Sequence, residues 1–254
     1  MSSSPGTGKR RARSRSSNPA GGVWLYGRHA VAAALANPHR KLLRVVAVGD
    51  VATAFDGGAP KAETVDPSLL DALLPPKVPH QGVAALCAPL EPSPIEMIAA
   101  ETAAGRPALL LDQVTDPQNV GAILRSAAAF GASGVVMQDR HAPPETGALA
   151  KAASGALDRI PVARVVNLAR ALDLFREHGV WSVALAGDAE RGLDETPMDR
   201  PLALALGAEG TGVRRLTRER CDLAARIPID AEQESLNVSA AAAVALYAAT
   251  RAGR

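Results

Sequence analysis

Three short stretches gather the polar chemistry of this chain. In "DQVTDPQNVGAILRSA", residues 112–127, Asp116, Pro117, Asn119 and Gly121 precede a helical pattern that carries Arg125. "GAEGTG", 207–212, surrounds Glu209 with Gly207, Gly210 and Gly212. "DAEQESLN", 230–237, ends in Ser235, Leu236 and Asn237. The side chains on offer are a guanidinium, a carboxylate, a hydroxyl and two carboxamides. Such a set can orient a polar substrate and stabilise negative charge as it forms. A carboxylate can also hold an arginine through paired hydrogen bonds. The glycines permit turns and close backbone approach to a ligand. The glycine spacing is not GxGxxG and there is no P-loop, which argues against a generic nucleotide-binding protein.

Each residue also has a plainer reading. Asn119 fits a helix cap, as do Ser235 and Asn237 before the last helix. Arg125 lies opposite the apolar face of Val120, Ile123, Leu124 and Ala127, where a solvated arginine is ordinary. Glu209 is readable as an exposed acid. The signal is the joint occurrence of the three stretches, in this order, each after an apolar run. Ligands of open parallel sheets sit beyond the carboxyl ends of the strands. Cys87 and Cys221 are far apart, and the five histidines show neither HxxxH nor HExxH spacing. Neither a disulfide framework nor a metal site is expected.

The elements that must position these loops follow from apolar patterning. Short continuous apolar runs at 108–112, 134–138, 181–186, 202–206 and 225–229 read as strands covered on both faces. Helices are expected at 118–130, 145–154, 168–178, 213–220 and 236–251. Their alternation predicts an α/β domain over 106–254 with a mainly parallel sheet. The last helix, "VSAAAAVALYAAT", is apolar nearly all round and suits a deep core or a subunit interface. A smaller α/β unit spans 23–88. It has a helix ending near Asn37-Pro38, a strand at "LLRVVAVG", a short helix begun by Asp66-Pro67-Ser68 and a strand at "HQGVAALCA". Residues 89–105 join the two units, with "PLEPSP" as linker and "IEMIAAETAAG" as a short helix.

Composition sets the outer bounds. Hydrophobic residues are 47% of the 254 and aromatic residues 3%, so the core must be aliphatic and alanine-rich. No apolar run has the length of a membrane span, and no signal-peptide core follows Met1. A cytoplasmic protein is the expectation. The net charge is +2, yet residues 1–22 alone carry Lys9, Arg10, Arg11, Arg13 and Arg15 and no acid, which leaves the rest at −3. That segment, rich in Ser, Arg, Gly and Pro, reads as disordered. A solubilising tail and an arm for RNA phosphates are equally good readings of it, and a transit peptide is a weaker third.

The pattern DxVxDPxNxGAxxRxA, then GxEGxG, then IPxxxxxxSLNVSxAxA resembles the three motifs of the SpoU/TrmH family. These are RNA ribose 2′-O-methyltransferases that use S-adenosylmethionine. The resemblance covers about 107–250. The front unit, from "YGRHAVAAAL" to "HQGVAA", resembles the family's L30e-like RNA substrate-binding domain. With "SGALDRIPVARVVNLARAL", 154–172, it points to the subgroup that acts on a guanosine of large-subunit ribosomal RNA. Transfer RNA as substrate, or a non-catalytic ribosome-assembly role, are the alternatives. The resemblance implies a deep trefoil knot in the parallel-sheet domain, a homodimer packed knot to knot, RNA rather than DNA as partner, and no membrane. It makes Arg125 the catalytic arginine, with Asn119, Glu209, Ser235 and Asn237 around it. The cofactor would lie against Gly207, Glu209, Gly210, Ile227, Ile229, Ser235, Leu236 and Asn237.

The reaction so implied moves a methyl group from a sulfonium to a ribose hydroxyl. The hydroxyl is the weak partner, so the site must align it and draw its proton away. A guanidinium holds its own proton firmly. Positioning, and stabilisation of a forming alkoxide, therefore suit Arg125 better than service as a base.

Overall fold

The structure is a computed structural model that describes residues 21–252 apart from 56, 58, 59 and 231. The basic segment expected to be disordered lies, but for Gly21 and Gly22, outside the described residues.

The front unit begins with β1 (Val23–Tyr26), α1 (Arg28–Ala36) and β2 (Leu42–Val48), followed by a 3-10 turn over Gly49–Phe55. It continues with β3 (Ala62–Val65), α2 (Pro67–Leu73) and β4 (Val83–Cys87). Its sheet runs β1-β4-β2-β3. β4 is antiparallel to both its neighbours, while β2 and β3 are parallel. β4 is the apolar run "VAALC", and it is buried throughout. The two edge strands, β1 and β3, were not expected. Each is four residues long, and β3 is exposed at Glu63 and Thr64, so neither carries a long apolar signature.

After α3 (Ile95–Ala103) the larger unit adds β5 (Ala108–Asp112), α4 (Pro117–Ala129), β6 (Gly134–Gln138) and α5 (Gly147–Ala153). A 3-10 turn over Ala156–Asp158 leads to β7 (Val162–Val165), α6 (Leu168–Glu177) and β8 (Trp181–Leu185). Another 3-10 turn, Leu193–Glu195, precedes β9 (Leu202–Gly207), α7 (Arg215–Arg220), β10 (Leu223–Ala225) and α8 (Val238–Ala252). The six strands are all parallel, in the order β10-β8-β9-β5-β6-β7. This is the parallel-sheet α/β domain, with a smaller unit before it, that the apolar runs predict.

Alternate residues of the strands face opposite layers, as the pleat requires. Leu109, Leu111, Val135, Met137, Leu204 and Leu206 pack under α4, α5 and α8, in a core that continues into the front unit. Leu110, Val136, Ala203 and Ala205 face α3 and α6, where Ile98, Leu168, Leu172 and Phe175 are buried. The helix read as part of the joining segment thus packs on the larger sheet.

Two expectations need correction. The run 225–229 is not a strand: β10 ends at Ala225, and Ile227 and Ile229 turn instead to line a cavity. Pro228 cannot donate to a ladder, which is why an apolar run fails to extend the strand. β7 was missed because "VARV" is a half-buried edge strand with Arg164 in its middle.

Candidate functional site

The carboxyl ends of β5, β9 and β8 are neighbours in the sheet, and the three polar loops meet above them. The first loop turns at Gln113, whose φ of 60° is left-handed, and then enters α4. Asp116 caps that helix, accepting from Gln118 N and Asn119 N at 3.2 Å each, and Pro117 takes the first helical position. A proline is tolerated there because the first amides have no helical acceptor. Asn119 is therefore not the cap, and its carboxamide is free to point outward.

It meets the other two loops. Asn119 Nδ2 donates to Glu209 Oε1 at 3.1 Å. Asn237 Nδ2 donates to the same oxygen at 2.6 Å and to Asn119 Oδ1 at 2.9 Å. Asn237 also caps α8: its Oδ1 accepts from Ser239 N at 2.9 Å and Ser239 Oγ at 2.6 Å. Both readings of Asn237, cap and site residue, hold together, because the amide oxygen does one task and the amide nitrogen the other. The three side chains, 118 residues apart at the extremes, form one closed triangle.

The Glu209 loop is fixed from both sides. Gly212 N donates to Ala208 O at 2.9 Å, and Gly210 and Gly212 take positive φ values of 80° and 64°. Gly207 is packed so closely that a Cβ would stand 1.8 Å from Gly212 C. Behind the loop, Asp112 is fully buried at the end of β5. It accepts from Arg214 Nε at 2.7 Å and from Arg214 N at 3.1 Å. The Gln138 carboxamide, in the orientation that satisfies both neighbours, donates to Asp112 Oδ1 at 3.3 Å and accepts from Arg214 at 2.7 Å. The sequence reading missed Asp112, Gln138 and Arg214. The only signal was an aspartate closing an otherwise apolar strand.

A cavity of about 610 Å³ opens beside the triangle. Gly207, Glu209, Gly210, Ile227, Ile229, Ser235 and Leu236 all line it; of the expected cofactor residues Asn237 alone is not in the lining. Leu185 to Gly187, at the end of β8, form its floor. Ile229 and Leu236 remain 38% and 37% exposed, an apolar rim without a cover. Asp230 and Glu234 add carboxylates to the lining. With Arg226 also in the lining, the volume, the apolar flanks and the charged groups fit a drug-sized ligand that has both apolar and charged parts. Ser235 lines the cavity and has no hydrogen-bond partner among the described residues.

Arg125 does not join this group. It stands six residues beyond Asn119, about 9 Å along α4. Its side chain is exposed, pairs with no group among the described residues, and does not line the cavity. Within one chain, then, the triangle and the cavity come together and the guanidinium stays outside them. Among the described residues no cluster of three or more metal-ligating side chains occurs, and no helix is long and apolar enough to cross a membrane.

Comparison with known proteins places the geometry. The model of the SpoU rRNA Methylase family matches residues 106–247. The model described as RNA 2'-O ribose methyltransferase substrate binding matches residues 24–93. A putative TrmH family tRNA/rRNA methyltransferase of Staphylococcus haemolyticus is 35% identical over 235 residues, covering 89% of this chain and 94% of the relative. A 23S rRNA (guanosine-2'-O-)-methyltransferase RlmB of Burkholderia sp is 44% identical over 187 residues, covering 73% and 75% of the two chains. Among solved structures, the SpoU methyltransferase AviRb of Streptomyces viridochromogenes, in complex with the cofactor AdoMet, superposes with a TM-score of 0.79. It covers 91% of this chain and 90% of that one, at 23% identity, which supports the fold.

Proposed function

Because this chain belongs to the SpoU rRNA methylase family, we propose that it methylates the ribose 2′-hydroxyl of a guanosine in 23S ribosomal RNA, with S-adenosyl-L-methionine as methyl donor. The observation that carries this reading is the hydrogen-bonded triangle of Asn119, Glu209 and Asn237, whose Glu209 also lines the cavity. The choice of RNA rests on the relatives named for 23S ribosomal RNA at 44–47% identity and on the substrate-binding match over the front unit.

S-adenosyl-L-methionine supplies an electrophilic methyl group on a positively charged sulfur. The work of this chain is to bind that cation and to handle the incoming hydroxyl. Ile227, Ile229 and Leu236 flank a flat apolar base, and the backbone at Gly207 and Gly210 allows close approach. Glu209 Oε1 is held by two amide donors, while Oε2 has no partner among the described residues. That free oxygen faces the task of orienting a donor group from the substrate side. Arg125 stabilises the oxygen as its proton passes to solvent water and the methyl group moves from sulfur to oxygen, by fixed positive charge rather than by accepting the proton.

A second copy of the chain completes this arrangement. α8 leaves a stripe of Ala240, Val244 and Tyr247 at the surface, with Val244 43% and Tyr247 54% exposed. Their spacing puts them on one helical face. Phe130, just past α4, stacks edge-on against Tyr247 at 6.2 Å, so the C-terminal end of the helix that bears Arg125 meets the same stripe. A homodimer through this face covers the stripe and carries Arg125 into the contact zone, where it can serve the partner's site. Tyr247→Glu is expected to yield monomers in sedimentation, with methyl transfer lost. We place the activity in the cytoplasm, where ribosomal RNA is assembled.

The deciding experiment is incubation with labelled S-adenosyl-L-methionine and unmodified ribosomal or transfer RNA, followed by mapping of the methylated ribose. Label in a 23S guanosine 2′-oxygen is expected. Label confined to transfer RNA would move the substrate, and binding of RNA without label would make the protein an assembly factor.

A further inference from the structure

The seam between the two units holds a buried ion cluster that methyl transfer itself does not use. Arg40 stands in the turn between α1 and β2, and its side chain is 0% exposed. Its Nε donates to Asp158 Oδ1 at 2.7 Å, and its Nη1 donates to Ala88 O at 3.1 Å and to Glu145 Oε1. Asn37 Nδ2 donates to Asp158 Oδ1 at 3.2 Å, and Glu145 Oε2 accepts from Leu90 N at 3.0 Å. Glu145 immediately precedes Thr146, the cap of α5, and Asp158 closes the 3-10 turn after it. One guanidinium from the front unit thus grips the chain on both sides of α5 and the start of the joining segment. Burial alone would lower the Arg40 pKa. The Asp158 hydrogen bond and the charges of Glu145 and Asp158 outweigh it and raise the value, so the group is a cation.

This cluster is a poor device for stability. Taking three charges out of water costs about as much as their attraction returns. Arg40 Nη2 is buried with no hydrogen-bond partner among the described residues. Apolar packing already joins the units: Leu25, Val31 and Cys87 share one core with Leu149, Ala153 and Leu157. Apolar surfaces can slide, however, whereas a planar fork bonded to two fixed carboxylates has one geometry. What the cluster adds is orientation.

Orientation reaches the site through α5. That helix packs so tightly on α4 that a Cβ at Gly121 would stand 2.5 Å from Ala152 Cβ and 2.6 Å from Leu149 O. α4 carries both Asn119 and Arg125. The front unit is therefore tied to the element beneath the site, by Arg40 at both ends of α5 and by the Lys151 Nζ to Gln81 Oε1 hydrogen bond (2.7 Å) within it.

Resting on the RNA-methyltransferase reading above, we propose that Arg40 is a positioning residue: it fixes the front unit at one angle to α5, so that RNA held by the front unit presents its ribose to the Asn119–Glu209–Asn237 site. Without Arg40 the two units stay joined but sample several angles. Only the fraction at the productive angle binds RNA well, and apparent affinity falls by that fraction. Once bound, the RNA itself selects the productive angle, and the chemical step is unchanged.

The test is steady-state methylation of an unmodified 23S ribosomal RNA transcript, with tritiated S-adenosyl-L-methionine, by the full chain and its Arg40→Met, Arg40→Lys and Asp158→Asn variants. For Arg40→Met, KM for RNA is expected to rise about tenfold, as for a competent fraction near one tenth, with kcat within about twofold of wild type. Affinity for S-adenosylhomocysteine stays at the wild-type value. Arg40→Lys, which keeps the charge but not the fork, falls between. A wild-type KM in Arg40→Met, or a loss confined to kcat, overturns the proposal. If Arg40→Met does not fold, Asp158→Asn, which removes one charge without changing shape, takes its place: a raised KM supports the proposal and a wild-type KM overturns it. A wild-type protein that methylates no RNA overturns the underlying reading and this inference with it, an outcome distinct from any change in KM between variants.

Discussion

Gly207→Ala asks how the cofactor cavity is built. Read from the sequence, Gly207 lies against the cofactor, and a larger side chain such as valine would fill the pocket. The geometry names a different casualty. A Cβ at this position would stand 1.8 Å from Gly212 C, 2.0 Å from Gly212 O and 2.1 Å from Val213 N. These are backbone atoms, which cannot swing aside, and they must retreat until the gap is at least 3.0 Å. The retreat strains the bond from Gly212 N to Ala208 O (2.9 Å) and the adjoining one from Arg214 N to Asp112 Oδ2 (3.1 Å). Overpacking costs about 1–3 kcal/mol, and one lost hydrogen bond adds about 1 kcal/mol. A total of about 2–4 kcal/mol lowers Tm by roughly 4–16 °C for a chain of this size. Because Glu209 rides on the same loop, titration calorimetry with S-adenosylhomocysteine should show at least about a tenfold loss of affinity, or about 1.4 kcal/mol. Gly207→Val should be little worse than alanine, since the first carbon already collides. Gly210→Ala is the control: its Cβ meets nothing within 4 Å, and it carries only the strain of its φ of 80°. A Gly207→Ala protein with wild-type Tm and cofactor affinity would refute the reasoning. So would a graded series in which alanine is mild and valine severe, because that is the signature of a filled pocket.

Arg125→Ala should abolish methyl transfer and leave S-adenosylhomocysteine affinity unchanged, because the side chain is outside the cavity; normal turnover removes Arg125 from the mechanism. Asp112→Ala takes the buried acceptor from Arg214, which is 43% exposed and can turn to water, so the loss of stability should be about 1–3 kcal/mol in urea unfolding. Its cofactor affinity should fall as well, and unchanged affinity would show that the Glu209 loop does not depend on this anchor. For Asp222, burial by itself would raise the carboxyl pKa, but Ser182 N and Oγ at 2.8 and 2.7 Å and the Arg176 guanidinium outweigh it and hold the value below 3.8. A depressed folded pKa gives stability that is present above the unfolded value and lost as pH falls through the folded one. Asp222→Asn should therefore be less stable than wild type at pH 7, with the gap closing progressively as pH drops below 3.8. A gap that stays constant in acid would show that the charge of Asp222 is not what matters.

The sequence by itself determined four strands of the larger sheet, β5, β6, β8 and β9, and singled out seven expected cofactor residues that line the cavity. Strands such as Ala108–Asp112 and Leu202–Gly207 are buried on both faces, so they are apolar up to their last residue, and a continuous apolar run needs no partner to be recognised. The cavity residues were legible for a related reason: Gly207, Glu209, Ser235 and Leu236 follow such strands, where parallel sheets expose their ligand crevices. Tertiary structure alone decided what each residue does. Asn119 could be read as the α4 cap, and only the structure gives that task to Asp116 and turns the Asn119 carboxamide to Glu209, ninety residues onward. Ile227 and Ile229 look like strand residues until the end of β8 and the Glu209 loop are in place to make a cavity of them. Gly207 lines the cavity, but its missing side chain makes room for the backbone at Gly212 rather than for a ligand. Arg40 carries no local signal at all, because its two carboxylates lie 105 and 118 residues away. Apolar runs and turn residues are local properties, set by backbone geometry over a few residues. Hydrogen-bond partners, cavities and buried charge clusters exist only once distant segments have packed, and that is where the roles in this protein were assigned.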